Sequence, residues 1–126
     1  MARNAIQPDG VAVPKPPYSP VVVAGDAVYT AGQIANGPDG NLVEGGIEEQ
    51  TRQALENVRT CVEAGGLTMD DVVKVNAYLV DLADFPGYNN VYVEFFDAPY
   101  PARSSVGAGL PAGVLVEIEA VARRPA

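Results

Sequence analysis

Apolar residues recur every three or four positions along residues 47–64, and this spacing predicts an amphipathic helix over Ile47–Ala64. Gly65 and Gly66 follow it and end it, because glycine suits the backbone of a helix C-terminus. The only cysteine, Cys61, lies on the apolar stripe, so we interpret it as a small core residue and not as a nucleophile. The other stripe positions are Ile47, Ala54, Leu55, Val58 and Val62.

A second helix, rich in aromatic residues, is predicted over residues 84–96. Asp84 suits the N-cap position and Pro86 suits the first turn. Its aromatic stripe, which includes Tyr88 and Tyr92, is more typical of a protein core than of a cofactor site. Asn89 lies within the helix although asparagine is a mediocre helix former, which is consistent with a polar role.

Alternating and β-branched residues predict strands at residues 20–24 and 27–31, joined by the tight turn Gly25-Asp26, and a third short strand at 42–44. A long strand is predicted at 72–80, with Val73, Val75, Ala77 and Leu79 on one side and a largely apolar second side. Because one helical layer covers only one side of a small sheet, the second side requires another partner. An identical subunit is the simplest partner.

The last part of the chain has two β-like runs, one beginning at Arg103 and one at Val116, which we interpret as a hairpin around the Gly/Pro-rich segment 107–113. Residues 1–17 have several prolines and predict an irregular or edge arm. The order of elements therefore predicts one α+β domain over residues 1–126, with two helices packed on one face of an antiparallel or mixed sheet.

Composition narrows the classes of function. With 126 residues, 48% hydrophobic and 19% charged, the chain is typical of one globular domain. It has no long apolar run and no apolar N-terminal segment, so we expect a cytoplasmic protein that does not bind membranes. The absence of histidine excludes Ser-His and Cys-His pairs, and with one thiol no zinc site is expected. A net charge of −8 disfavours binding to the negatively charged backbone of a nucleic acid.

The candidate chemistry lies at Arg103, Glu117 and Glu119. A guanidinium can hold a carboxylate through two parallel hydrogen bonds, and a glutamate can hold a water or move a proton. Judged on residue type alone, Arg103 is more often an exposed arginine at a sheet edge, and the two glutamates a solvated strand face. Tyr18 likewise is more often an aromatic that covers the edge of the core than part of a pocket wall.

A set of short segments, in order along the chain, resembles the landmarks of one family. They are Tyr18-Ser19, Ala31-Gly32-Gln33-Ile34, residues 49–57, residues 72–75, Asp84-Phe85, Asn89, Val91-Tyr92, Phe95-Phe96, residues 101–104 and residues 116–120. The combination, from about Tyr18 to Arg123, resembles the RidA (YjgF) family of reactive-intermediate imine deaminases.

This resemblance implies a chorismate-mutase-like fold assembled as a homotrimer with ligand clefts between subunits. It also implies an activity without a cofactor, the hydrolysis of imines such as 2-aminoacrylate, released by pyridoxal-phosphate enzymes, to 2-keto acids and ammonia. The carboxylate-binding arginine would be Arg103 and the water-orienting residue Glu117. Substrate-binding positions would be Tyr18, Gly32, Asn89 and Ser105.

Two departures from the family pattern leave alternatives open. Ser105 replaces a cleft cysteine that is common two residues after the arginine, and the segment from Arg103 to Pro111 is one residue shorter. A 2-aminomuconate-type deaminase is therefore an alternative. So is a non-catalytic trimer that binds 2-keto acids or other small anions. An RNA-cleaving role, reported for some relatives, agrees poorly with the charge.

Overall fold

A six-stranded mixed sheet with two helices on one face forms the protein, and this confirms the expected α+β architecture. The structure is a computed structural model that describes residues 3–126; residues 1–2 of the expected arm lie outside that range. The strands are β1 (Asn4–Ile6), β2 (Val21–Ala24), β3 (Ala27–Thr30), β4 (Val72–Leu79), β5 (Ala102–Gly107) and β6 (Val116–Arg123). The helices are α1 (Ile47–Ala64) and α2 (Phe85–Phe95).

The strand order across the sheet is β1-β2-β3-β6-β4-β5. All neighbouring pairs are antiparallel except β4 and β5, which are parallel and connected through α2. The expected hairpin between the last two strands is therefore wrong, because β4 lies between β5 and β6. A strand that follows a crossover helix joins the sheet parallel to the strand before that helix. β5 thus becomes an edge strand.

Helix α1 begins and ends where the sequence predicted. The Glu49 side chain accepts a hydrogen bond from the backbone N–H of Gly46 (2.7 Å), which supplies a partner at the helix N-terminus. Glu48 and Glu49 also place negative charge at the positive end of the helix dipole. Cys61 is fully buried, as expected, and burial raises the pKa of its thiol to about 11.

Helix α2 also confirms its prediction, with one difference at its start. Asp84 occupies the N-cap position but makes no side-chain capping bond. The Asp81 side chain instead accepts a hydrogen bond from the backbone N–H of Ala83 (2.9 Å), in the 3-10 turn Leu82–Asp84 that leads into the helix. A second 3-10 turn, at Met69–Asp71, leads into β4.

Two predictions about strands need correction, and the N-terminal arm takes in part the edge form that was one of its two expected forms. Residues 42–44 form no strand, and only Leu42 makes an isolated bridge, to Asn36. Part of the N-terminal arm is regular, since Asn4–Ile6 pairs with β2 at the sheet edge. The face assignment of Val73 is wrong, because a register shift between Val72 and Lys74 buries Val72 and leaves Val73 46% exposed.

The core lies between the sheet and the two helices. Val75, Ala77 and Leu79 of β4 and Val116 and Ile118 of β6 have at most 1% exposure on this side. The other side, which we call the open face, has no helix over it among residues 3–126. The open face is formed by Tyr29, Lys74, Asn76, Tyr78, Ser104, Val106, Glu117, Glu119 and Val121.

Close packing between α1 and the sheet yields a stability prediction at Gly65. A Cβ at this position would lie 2.6 Å from Cγ1 of Val28, a buried residue of β3. We expect Gly65→Ala to lower the free energy of unfolding by about 1–3 kcal/mol, because the clash forces the helix end away from the strand. Urea unfolding at one fixed protein concentration measures this effect.

The matched control is Gly109→Ala, because a Cβ at Gly109 would meet no atom within 4 Å. This variant should change the free energy of unfolding by no more than about 0.5 kcal/mol. Equal stability of the two variants would contradict the packing described here.

Candidate functional site

Arg103 lies on edge strand β5 and points toward helix α2. Its Nη1 donates a hydrogen bond to Oδ1 of Asn89 (2.9 Å). The guanidinium carbon lies 4.7 Å from the ring centroid of Tyr92 and 5.2 Å from that of Tyr88. Two aromatic faces and one amide therefore hold an exposed cation in a defined orientation.

A cavity of about 300 Å³ adjoins this arginine, and we call it the arginine cleft. Its walls are mostly apolar, with Arg103 and Asn89 as the polar members. The lining residues are Asn89, Tyr92, Val93, Tyr100, Pro101 and Arg103. A mostly apolar cavity that contains one cation and one amide suits a small ligand with a carboxylate.

Ser105 lies two residues beyond Arg103 on the same face of β5 and is half-buried. Its hydroxyl oxygen is 3.4 Å from the hydroxyl oxygen of Tyr88, which is fully buried. Burial raises the pKa of Tyr88, and this effect is opposed by the hydrogen bond with Ser105 and by the nearby Arg103 cation. The Tyr88 hydroxyl therefore keeps its proton at neutral pH.

A second cavity, also of about 300 Å³, lies beside Glu117 of β6, and we call it the glutamate cleft. It is lined by Tyr18, Ala31, Gly32 and Glu117. Gly32 packs directly against the carboxylate, because a Cβ there would lie only 2.8 Å from the carboxyl carbon of Glu117. A side chain at position 32 would thus force the Glu117 carboxylate out of its present position.

The segment that carries Gly32 is held in place from two sides. Gln33 exchanges two backbone hydrogen bonds with Ile118 of β6, at 2.8 and 3.0 Å. The buried Asn57 of α1 donates two hydrogen bonds from its side-chain amide to the carbonyl oxygens of Ile34 (3.0 Å) and Asn36 (2.8 Å). These bonds attach the segment that forms this wall of the glutamate cleft to β6 and α1.

Glu117 has a raised pKa. Partial burial is the larger cause, and the charge of the neighbouring Glu119 adds to it. Glu119 itself accepts a hydrogen bond from the Tyr78 hydroxyl (2.9 Å), whereas Glu117 faces the cavity. The two carboxylates are therefore in different environments, and Glu117 is the one suited to accept a proton from a bound water.

The two clefts lie on opposite faces of the sheet. Arg103 pairs with Val75, a core residue, so it points to the helix side. Glu117 pairs with Tyr78 and lies on the open face. Since directly paired residues share a face, the sheet itself separates Arg103 from Glu117 within one chain.

The structure therefore divides the predicted site residues into two groups. Arg103, Asn89 and Ser105 lie together on the helix side, and Tyr18, Gly32 and Glu117 lie together at the other cleft. Tyr18 is 53% exposed and lines the glutamate cleft, so it does not cover the core edge as its residue type suggested.

Sequence reasoning missed two residues that hold the Arg103 guanidinium in place. Tyr88 and Tyr92 were assigned only to the core, and both are buried, yet both rings also pack against the Arg103 guanidinium. Two features of the sequence could have indicated this role. The polar Asn89 lies next to the buried stripe, and two stripe positions are tyrosine and not phenylalanine. A buried tyrosine hydroxyl needs a hydrogen-bond partner.

Within residues 3–126 no three His, Cys, Asp or Glu side chains are grouped so that they could hold a metal ion. In the same range no helix has the length and apolar character needed to cross a membrane.

Comparison with known proteins gives consistent matches over most of the chain. A family model described as Endoribonuclease L-PSP matches residues 10–124. The chain is 48% identical to a RutC family protein of Pyrococcus horikoshii, over 86% of this chain and 90% of that protein. It is 47% identical to a protein of Dermatophagoides farinae named 2-iminobutanoate/2-iminopropanoate deaminase, over 83% and 84% of the two chains.

Solved structures share the fold. The crystal structure of Escherichia coli TdcF with bound serine superimposes with a TM-score of 0.91 at 38% identity, and covers 97% of this chain and 99% of that one.

The environment of Glu117 makes a testable prediction about its pKa. In Glu119→Gln the pKa of Glu117 should fall, because a neighbouring negative charge is removed. It should remain above the ordinary value for glutamate, because burial, the larger cause, persists. Titration of the side-chain carboxyl carbon by NMR measures this shift.

Glu119→Asp serves as the control, since it keeps the charge and should leave the pKa of Glu117 raised. An unchanged pKa in Glu119→Gln would show that the neighbouring charge does not act on Glu117.

Proposed function

The chain belongs to the RidA (YjgF) family, and from this premise we propose that it is a cofactor-independent deaminase that hydrolyses enamines and imines such as 2-aminoacrylate. The products are a 2-keto acid and ammonia. The observation that carries the proposal is the arginine cleft, in which Arg103 is oriented by Asn89 and two tyrosine rings.

Substrate binding would rest on the carboxylate that all these substrates share. Arg103 uses one nitrogen for Asn89, and its other N–H groups remain for a carboxylate. The bound serine in the TdcF structure is a small molecule with a carboxylate, which supports this ligand class. Ser105 would contribute a further polar contact beside Arg103.

The reaction requires one water and a group that accepts its proton. The enamine first becomes its imine tautomer, in which the C2 carbon is electrophilic. Water adds to C2, a proton passes to the nitrogen, and the C–N bond breaks to release ammonia and the keto acid. Glu117 would orient the water and accept its proton, and its raised pKa makes it a better base than an ordinary glutamate.

Both groups are needed at one substrate, yet one chain holds them on opposite faces of its sheet. We therefore propose a homotrimer in which the arginine cleft of one subunit meets the glutamate cleft of the next. In each joint site Tyr18 and the backbone of Gly32 would line the part that holds the water, and Asn89 the part that holds the carboxylate. The open face, uncovered within one chain, would be buried between subunits.

The description of the family model names an endoribonuclease, but the charge of this chain does not favour RNA as a partner. The net charge is −8. Arg52, Arg59 and Arg123 are each engaged in an ion pair with a carboxylate of the same chain. A protein that binds phosphates needs free cations gathered on one surface.

Substitution of Arg103 tests the proposed activity. With 2-aminoacrylate generated in situ, Arg103→Ala should lower kcat/KM by about 100-fold or more, because the paired hydrogen bonds to the carboxylate are lost. Arg103→Lys should lose less, since it keeps the charge without the planar pair of donors. Ammonia and keto-acid release are measured together.

Equal rates in wild type and Arg103→Ala would contradict the proposal. Keto-acid binding by the wild type, with no acceleration of ammonia release, would favour the alternative of a binding trimer without turnover.

A mixing experiment tests whether the site is shared between subunits. Arg103→Ala and Glu117→Ala should each be nearly inactive alone. After co-expression and purification of mixed trimers, one of the three joint sites in each trimer should combine an intact Arg103 with an intact Glu117, because a ring of two kinds of subunit in a 2:1 ratio has one such interface. Activity should therefore return to about a third of the wild-type value.

If Arg103 and Glu117 of the same subunit acted together, mixing would restore no activity. Two different affinity tags, purified in sequence, show that the trimers are mixed.

A further inference from the structure

The Tyr88 hydroxyl pairs with that of Ser105 beside Arg103, and the proposed mechanism gives Tyr88 no role. Tyr88 is the largest fully buried side chain among residues 3–126, and its hydroxyl is 3.4 Å from that of Ser105. Ser105 is half-buried and shares the strand face of Arg103. The pair therefore connects the interior of the core with the rim of the arginine cleft.

Burial decides which hydroxyl donates. If Ser105 donated to Tyr88, the hydrogen of the Tyr88 hydroxyl would be left in the core without a partner, at a cost of about 1–3 kcal/mol. Ser105 is the side chain beside that hydroxyl that can accept its hydrogen, because the nearby Arg103 guanidinium can only donate. Tyr88 therefore donates and Ser105 accepts, which leaves the O–H of Ser105 free to turn toward the cleft.

From this geometry we propose that Tyr88 is a positioning residue, which holds Ser105 as a hydrogen-bond donor toward the substrate carboxylate bound by Arg103. The inference rests on the proposed function in that it assumes a carboxylate ligand on Arg103. The serine in place of the cysteine common in the family matters here, because a hydroxyl is a much stronger donor than a thiol.

The length of the contact agrees with this role. At 3.4 Å the two hydroxyls are farther apart than in a typical O–H···O bond. When Ser105 donates to an anion, its oxygen becomes a better acceptor, and the bond from Tyr88 should shorten. The ring of Tyr88 is fixed independently by its neighbours Phe85 and Tyr92, with centroid distances of 6.0 and 5.7 Å.

Calorimetric binding of 2-oxobutanoate, a representative 2-keto acid, tests the inference through a double-mutant cycle. Tyr88→Phe and Ser105→Ala should each weaken binding by about 3- to 10-fold, the effect of one hydrogen bond to a charged group. The double variant should bind no more weakly than either single variant, because Tyr88 acts through Ser105. Ser105→Cys should behave like Ser105→Ala.

Thr60→Ala is the control, since it removes a hydroxyl on α1, outside both clefts, that donates to the carbonyl oxygen of Glu56 in the same helix (3.0 Å), and it should leave the affinity unchanged. Steady-state kinetics of Tyr88→Phe give a second measurement. KM should rise while kcat stays the same, because the carboxylate contact exists in both the ground state and the transition state. Thermal unfolding of Tyr88→Phe checks that the fold is intact.

Unchanged affinity in Tyr88→Phe, or losses that multiply in the double variant, would overturn the role of Tyr88. Arg103→Ala in the same assay separates this result from a failure of the proposed function. If Arg103→Ala bound 2-oxobutanoate as tightly as the wild type, the proposed carboxylate site would itself be wrong.

Discussion

The sheet carries both helices on one face, and this asymmetry determines where every functional side chain lies. Side chains alternate along a strand, so Arg103 points toward the helices and Glu117 points away from them. A single chain therefore presents two incomplete clefts. The open face that carries Glu117 also holds apolar and polar side chains together, such as Tyr29, Tyr78 and Lys74. In the trimer that we propose, the neighbouring subunit would both cover this face and complete the site.

Residues of the core hold the side chains and segments that form both clefts. Arg103 packs on the rings of Tyr88 and Tyr92, which belong to the buried stripe of α2, so the cation rests on residues that cannot move without disturbing the core. The wall of the other cleft is held by the buried Asn57 of α1. The residues that line both clefts are thus held by the core although they lie at the surface, which favours precise placement of a small substrate.

The elements that the sequence predicted well are those with a strong local signal. Helix α1 has a continuous apolar stripe and glycines at its end, and its bounds were predicted correctly. The errors arose where long-range pairing decides. The expected hairpin failed because the local pattern of two strands does not reveal that β4 inserts between them. Val73 is exposed because the pairing of β4 with β6 shifts register next to it. The alternation of apolar and polar residues along β4 does not reveal this shift.

The sequence by itself determined the chemistry that is available: one exposed arginine in a family-like motif, a pair of glutamates, no histidine and a net charge of −8. The family resemblance also named Asn89 and Gly32 as positions of a single site, and the structure places Asn89 beside Arg103 and Gly32 beside Glu117. Only the tertiary structure decided that the two groups lie on opposite sides of the sheet. The physical reason is that the face of a side chain follows from strand order and register, and both are set by contacts between residues distant in the chain.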